Sequence, residues 1–355
     1  MRLSCPERMA RGRIEFDSEG SVSKGIFVKT VTCHKIMTCL MGQTLSLWSS
    51  LKGIFDVIDF IRFSERYKHL DDLTPHPKKV REVEVNGLYI RIYKPEKAVK
   101  EVLIVYHGGG VNSDAGYDIP ARQLSCALSI CVCLTDIRGH GRSGGLRGDA
   151  LSPEQIWQDV DTIIDYARNI YKNARIHLLG HSSGGGMLIN YFTRHVLSRK
   201  VDSLLLLSPE LGPFTPPALH KTLSAPFASV NRWAFIFNAL SAGFTGGHRA
   251  GVRLNFPSDV IHSRPDFVQV YSVNMANALT PKNPSGQLKK LSFPVTILLA
   301  EQDELFDVKR MTEFFNSCGN SHLSSQVMKN CRHLDCIFEL TNSMQNHFAR
   351  LSSGI

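Results

Sequence analysis

With 355 residues, 43% hydrophobic and 21% charged, the chain has the composition of a folded globular protein and the length to bury a large core, in one elaborated domain or two ordinary ones. Its formal net charge of +9 is spread along the sequence without a dense basic run or a nucleic-acid motif; that excludes nucleic acid as the expected partner and leaves an anionic membrane surface or an anionic substrate as the use of the charge. Nine cysteines is an odd count, and Cys126, Cys131 and Cys133 fall on or beside an apolar strand, so the thiols read as small buried hydrophobes in a reducing, cytoplasmic compartment.

In chain order, the opening MRLSCPERMARGR lacks the apolar core of a secretory signal, and residues 1–40 form a poorly defined extension of weak periodicity. Cys33, His34 and Cys39 have no second pair at ligand spacing, so no metal site is expected there. Residues 41–81 form an amphipathic helical segment. In SLWSSLKGIFDVIDFIRF, Leu47, Leu51, Ile54, Ile58 and Ile61 recur at helical spacing beside Trp48 and Phe55. Lys52, Asp56, Asp59 and Arg62 break the ~18 to 20 uncharged residues that a membrane span requires. The apolar face over 44–63 has two uses: packing on its own domain, which is preferred, or peripheral contact with a membrane surface. MGQTLS at Met41 matches an N-myristoylation start, yet Gly42 is internal in the chain as written.

From residue 82 the pattern becomes regular. VREVEVNGLYIRIYKP reads as two alternating strands about Asn86-Gly87, a hairpin signal. Short apolar strands follow at 102–106, 130–134, 176–179, 203–207, 295–300 and 325–329, separated mostly by helical stretches, notably 152–171 and 184–198. Strands apolar throughout and alternating with helices predict an α/β fold with a mostly parallel sheet covered on both faces. Between Ser208 and Leu291 this alternation stops for about eighty residues, far beyond an ordinary αβ loop of ~2 to 6 residues. The expected division is a catalytic domain over 82–208 and 291–355, and a helical cap over 209–290 inserted after the sixth strand.

The run RIHLLGHSSGGGMLINYF places Gly180, His181, Ser182, Ser183 and Gly184 between a strand and a helix, which fits the G-x-S-x-G elbow that exposes a serine at the top of a sheet. Ser182 is the expected nucleophile; Ser183 cannot fill the template, because His181 stands where glycine is needed. A serine hydroxyl needs a base, and the base needs a carboxylate to hold its tautomer. The strand 295–300 runs into EQDELFD and the strand 325–329 into NCRHLD, so an acid and a histidine follow at successive strand ends. Asp303 is the preferred acid, with Glu301, Glu304, Asp307 and Glu210 as rivals. His333 is preferred as base over His322 and His347. VYHGGGVNS supplies glycines that approach a substrate closely, and the N–H of Gly109 with that of Ser183 would form the oxyanion hole. The spacing fits neither phosphate-binding template.

DIRGHGRSGG (136–145), GHSSGG (180–185), HGGG (107–110) and AEQDELFD (300–307) together resemble the monoacylglycerol lipase and lysophospholipase branch of the α/β hydrolases, close kin of serine aminopeptidase-type domains. The resemblance covers about residues 82–355. It implies an α/β-hydrolase fold, a serine hydrolase without metal or cofactor, and a structural role for His140 in a loop beside the site. Three departures stand out: CRH before the expected base, Ala300 where glycine is common, and a long cap. The expected activity is cleavage of carboxylic esters through an acyl-enzyme, on a small ester or monoacyl lipid. The alternatives are a proline iminopeptidase-type aminopeptidase, which would want acidic residues near its cap, and a non-catalytic binding relative. The cap carries Lys221, Arg232, Arg249, Arg253, Arg264, Lys282, Lys289 and Lys290 against Glu210, Asp259 and Asp266. Trp233, Phe235, Ile236, Phe237 and Phe244 in RWAFIFNALSAGF are read mainly as the cap's own core, with an apolar substrate channel as their second use.

Overall fold

The computed structural model describes residues 58–196, 198–221 and 226–353. The extension 1–40, the Cys33, His34 and Cys39 group, the Met41 motif and most of the 44–63 stretch lie outside them. Helix α1 (Phe60–Leu73) opens the described chain. Its N-cap is Asp59, whose carboxylate accepts the Arg62 N–H at 2.9 Å. It lies within the helical segment expected over 41–81 and continues ten residues beyond the apolar stretch 44–63, where charged side chains find partners on the body: Arg62 and Arg66 both ion-pair with Asp335, at 2.8 and 3.0 Å. Phe63 stacks on Phe338, ring centroids 5.2 Å apart. No helix among the described residues is long and apolar enough to cross a membrane.

The hairpin joins β1 (Val80–Val85) to β2 (Leu88–Tyr93), with Asn86 and Gly87 at φ of 51° and 75°, the left-handed pair that a two-residue turn requires. There follow β3 (Glu101–Tyr106), α2 (Asp118–Ala127), β4 (Cys131–Thr135), α3 (Pro153–Ile170), β5 (Arg175–His181), α4 (Ser183–Arg194) and β6 (Ser203–Leu207). Helix α3 starts where Ser152 caps the Gln155 N–H and Pro153 sets the first turn. Helix α4 stops four residues before its predicted end: His195 turns extended and meets Asp161 at 2.7 Å. The lid holds β7 (Ala228–Val230), α5 (Arg232–Leu240), β8 (Ala250–Leu254), α6 (Ser258–Ser263), β9 (Val270–Ser272), α7 (Val273–Leu279) and α8 (Pro284–Leu288). The chain then closes with β10 (Val295–Ala300), α9 (Val308–Ser317), β11 (Leu323–Met328) and α10 (Leu340–Ser353).

Eight strands form one sheet in the order β1-β2-β4-β3-β5-β6-β10-β11. The β1–β2 and β2–β4 pairs are antiparallel and every other pair is parallel, so this is the doubly covered α/β sheet that the apolar strands predict. Alternate residues feed two cores. Ile104, Leu178, Leu206 and Ile297 pack with Trp157 and Ile164 of α3 and Met187 of α4. Leu103, Leu179, Leu205 and Leu298 pack with Ile119 and Leu124 of α2 and Met344 of α10. Cys131 and Cys133 are buried in strand β4, whereas Cys126 lies exposed in helix α2.

The lid differs from a purely helical cap, because β7, β8 and β9 form an antiparallel sheet of their own. Its aromatic run also differs from expectation. Helix α5 turns Ala234 and Asn238 inward, where Asn238 bonds the Thr245 carbonyl at 2.8 Å. Of the five residues read mainly as cap core, Trp233 is therefore 78% exposed and Phe244, just beyond the helix, 91%, while Ile236 and Phe237 are exposed too.

Candidate active site

Four strands deliver their carboxyl ends to one rim, where open α/β sheets bind ligands. Ser182 stands between β5 and α4 with φ 51° and ψ −116°, a region that non-glycine residues rarely occupy and that persists only when neighbours over-determine it. Its N–H donates to the Leu207 carbonyl at 2.9 Å, and its own carbonyl accepts the N–H groups of Gly185 and Glu210 at 2.9 and 3.0 Å. The glycines let the layers close. A Cβ on Gly180 would lie 2.5 Å from the Gly184 carbonyl carbon, and one on Gly184 would lie 2.6 Å from the His107 carbonyl oxygen.

The structure brings the three predicted side chains together. His333 Nδ1 lies 2.8 Å from Asp303 Oδ2, and its Nε2 lies 3.1 Å from Ser182 Oγ. Asp303 is 1% exposed and accepts the Leu305 and Phe306 N–H groups at 2.9 and 3.1 Å. Burial pushes its pKa up, but the His333 charge and these hydrogen bonds prevail and hold it below the usual carboxylate value. Burial lowers His333 in turn, and the Asp303 charge and hydrogen bond prevail to raise it. An ionised Asp303 keeps the His333 proton on Nδ1 and a lone pair on Nε2, facing the serine.

The rival groups have other partners. Glu301 pairs with Lys329, Glu304 accepts the His333 N–H, Asp307 caps α9, and Glu210 accepts the Gly212 N–H. His322 is exposed on the turn before β11, at the opposite end of the sheet. His347 is buried in α10 between Ser203 and Thr296.

The HGGG loop is held from both sides by tyrosines for which the sequence offers no motif. Tyr117, at the start of α2, accepts the Gly108 N–H at 2.9 Å and lies 2.7 Å from His181 Nδ1. Tyr271, on β9 of the lid, accepts the Gly110 N–H at 2.5 Å and lies 2.8 Å from His140 Nε2. His181 Nε2 faces the His333 carbonyl at 3.0 Å and His140 Nδ1 the Arg138 carbonyl at 3.2 Å. A carbonyl only accepts, so those nitrogens carry the protons and the tyrosines donate to the opposite ones. His107 is the third member: its Nδ1–H donates to the Gly108 carbonyl at 2.9 Å, and its Nε2 accepts the Ile137 N–H at 3.1 Å. Gly109 lies against the elbow, since a Cβ there would stand 2.8 Å from Ser183 Oγ.

Burial, first of all, lowers the pKa of His107 to about 4 and those of His140 and His181 to about 3. In the unfolded chain each imidazole binds a proton near pH 6.5. Their contribution to stability is complete above that value and is lost as the pH falls toward 3 to 4, at about 1 kcal/mol per pH unit for each imidazole. His347, away from the site, is lowered to about 3 as well, first by burial, and adds to the same trend; His333, raised in the fold, acts in the opposite sense but is one against four. Urea midpoints should therefore fall steeply between pH 6.5 and 4.5, and a flat profile over that interval would contradict neutral histidines at the site.

Residues 97–340 match the family described as serine aminopeptidase, S33. The monoglyceride lipases of Mus musculus and Homo sapiens are each 26% identical to this chain over 236 residues, which are 64% of this chain and 74% of theirs. Protein phosphatase methylesterase 1 of Candida albicans is 30% identical over 32% of this chain and 30% of its own length. A soluble variant of monoglyceride lipase from Saccharomyces cerevisiae, solved with a substrate analog, has a TM-score of 0.57 at 16% identity, covering 78% of this chain and 96% of that one. The matched span takes in the elbow, the HGGG loop, the lid and both late strand ends, and the chain belongs to the serine aminopeptidase (S33) family of α/β hydrolases, on the branch that resembles the monoglyceride lipases.

Proposed function

We propose that the protein is a serine hydrolase that cleaves the carboxylic ester of monoacyl lipids. The observation that carries this reading is a cavity of about 760 Å³ between the lid and the sheet rim, reaching Ser182 and His333 and walled by apolar side chains such as Phe63, Val111, Phe227, Leu254, Phe256 and Leu279. That size and lining suit a hydrocarbon chain. Ser182 attacks the ester carbonyl while His333 Nε2 takes its proton, and the Gly109 and Ser183 N–H groups receive the charge that develops on the carbonyl oxygen. The imidazolium, steadied by Asp303, returns the proton to the departing alkoxide. Water, deprotonated by His333, then releases the fatty acid and restores Ser182.

The cavity's polar lining bears on the head group. Arg264 is paired with Asp266 at 2.9 Å, and Lys221 donates to the Asp303 carbonyl oxygen. Arg264 is neutralised by that pairing, which favours an uncharged glycerol head over a phosphate-bearing one, while Lys221 keeps its charge and two N–H donors for the oxygens of the head. For an aminopeptidase, the carboxylates of the lining are Asp114, ion-paired with Arg91 at 2.6 Å, and Glu210, which accepts the Gly212 N–H through Oε1; a substrate amine would have Glu210 alone to meet it, and the aminopeptidase arm of the assay below tests that. The lid's outer face extends the lipid reading. Trp233, Leu240 and Phe244 are 78, 84 and 91% exposed, Arg232 adjoins Trp233 in sequence, Arg249 lies over the Phe237 ring at 4.6 Å, and Val230, shortly before α5, is among the residues that line the cavity; Arg253 follows on β8. The sequence has no carboxylate between Glu210 and Asp259 to oppose these arginines, so the face suits a bilayer containing anionic lipid.

One assay series tests the proposal. p-Nitrophenyl octanoate, below its micelle threshold, should be hydrolysed with kcat/KM at least tenfold above that of the acetate. Trp233→Ser/Leu240→Ser/Phe244→Ser should lower turnover of monoacylglycerol in anionic vesicles severalfold while leaving soluble octanoate unchanged. A preference for acetate, or aminopeptidase turnover above both esters, overturns the lipid assignment.

A further inference from the structure

Three consecutive glycines follow His107, and their amides have different fates. The Gly108 N–H is taken by Tyr117 and the Gly110 N–H by Tyr271. Between them, the Gly108 carbonyl is fixed by His107 Nδ1. That carbonyl belongs to the same planar peptide unit as the Gly109 N–H, so fixing one end orients the other. The Gly110 carbonyl accepts the Val268 N–H at 2.7 Å. Within this loop the Gly109 N–H is the amide left without a protein acceptor, and it lies beside Ser183, whose N–H at the first turn of α4 is likewise unclaimed.

We propose that Tyr117 and Tyr271 are positioning residues for the oxyanion hole. By accepting the two flanking amides they hold the loop so that the Gly109 N–H, together with that of Ser183, is aimed at the oxygen on which charge develops. Each tyrosine can accept strongly because its own proton is committed. His181 takes the proton of Tyr117 and His140 that of Tyr271, and both imidazoles are themselves locked by main-chain carbonyls. The two supports come from different parts of the fold: Tyr117 belongs to the body and Tyr271 to the lid. The lid therefore contributes to the chemistry as well as to the walls of the cavity. Pre-aimed donors matter because reorienting a dipole during the reaction would use up part of the stabilisation it gives.

This inference rests on the serine hydrolase reading, and the test separates the two. Tyr117→Phe and Tyr271→Phe keep the ring and remove only the hydroxyl. Each should lower kcat on p-nitrophenyl octanoate about tenfold with KM within twofold, and should weaken inhibition by an alkyl trifluoromethyl ketone, which forms an oxyanion on Ser182, by a similar factor. Binding of an inert monoalkyl glycerol ether, which has no carbonyl, should be unchanged. Tyr106→Phe is the control, because its hydroxyl is buried without a hydrogen-bond partner; it should match wild type in every assay. His140→Gln offers a second route to the Tyr271 arm should the direct variant fold poorly, and should show the same loss on kcat and on the ketone. Equal ketone affinity in wild type and both tyrosine variants overturns the inference while the hydrolase reading stands. A wild type that neither hydrolyses the ester nor binds the ketone overturns both.

Discussion

Ser182→Ala and His333→Ala should each reduce ester hydrolysis by several orders of magnitude, and the double variant should be scarcely slower than either alone. The two side chains act as a unit, 3.1 Å apart at Nε2 and Oγ, so removing either disables the attack and the second deletion has little left to remove. Asp303→Asn should lose about 10³ to 10⁴ in kcat, because an amide in place of the carboxylate favours the wrong imidazole tautomer and leaves the imidazolium without its counter-charge. All three variants should keep the far-ultraviolet circular dichroism of wild type. The base assignment fails if His333→Ala retains near wild-type turnover while His322→Ala loses it. An alkyl fluorophosphonate with intact-mass detection offers a check independent of substrate: one adduct on wild type and none on Ser182→Ala.

The largest loss of stability is expected for Trp157→Ala. The indole is 1% exposed, belongs to the core on the side where α3 meets α7 and α4, and donates from Nε1 to the Ala278 carbonyl on α7 at 3.2 Å. Arg194 lies over its ring at 4.8 Å. Truncation leaves a cavity that the rigid layers around it can fill only in part, at a cost of about 3 to 5 kcal/mol. Ala278 keeps a second donor, Asn190 Nδ2 at 3.0 Å, so the loss is one of packing more than of an orphaned carbonyl. Trp157→Phe should retain more than half of the stability lost by alanine. Urea titrations report both; an alanine variant with a wild-type midpoint would show that the indole is not a keystone between lid and body.

Much of the fold is legible in the chain because its signals are local. Strands such as SLLLL and VTILLA are apolar at every position, and Asn86-Gly87 needs only its own backbone preferences to form a turn. The elbow is legible for the same reason, since close approach of β3, β5 and α4 demands glycine at 180 and 184. Asp303 and His333 can be read from position alone, as groups just beyond consecutive parallel strands. Tyr117 and Tyr271 carry no such mark: each is a lone tyrosine whose meaning depends on which amide it meets after a 9- or 161-residue separation. The α5 aromatics misled for a related reason. A hydrophobic run ordinarily signals a core, but here only Phe235 joins it, beside Ala234 and Asn238, while Trp233, Ile236 and Phe237 stay outside.

Strand β10 pairs with β6 on one side and β11 on the other, although the whole lid is threaded between β6 and β10 in sequence. On the ribosome this order sets a timetable. Ser182 leaves the exit tunnel 151 residues ahead of His333, roughly 8 to 30 s at common elongation rates. Throughout that interval Ser182 lacks the histidine that the proposed mechanism pairs with it, and the sheet ends at β6 with an open edge awaiting two more strands. On the proposed mechanism, a nascent or prematurely released chain would carry Ser182 without its base, and competence would come only after β11 and the turn that holds His333 are in place.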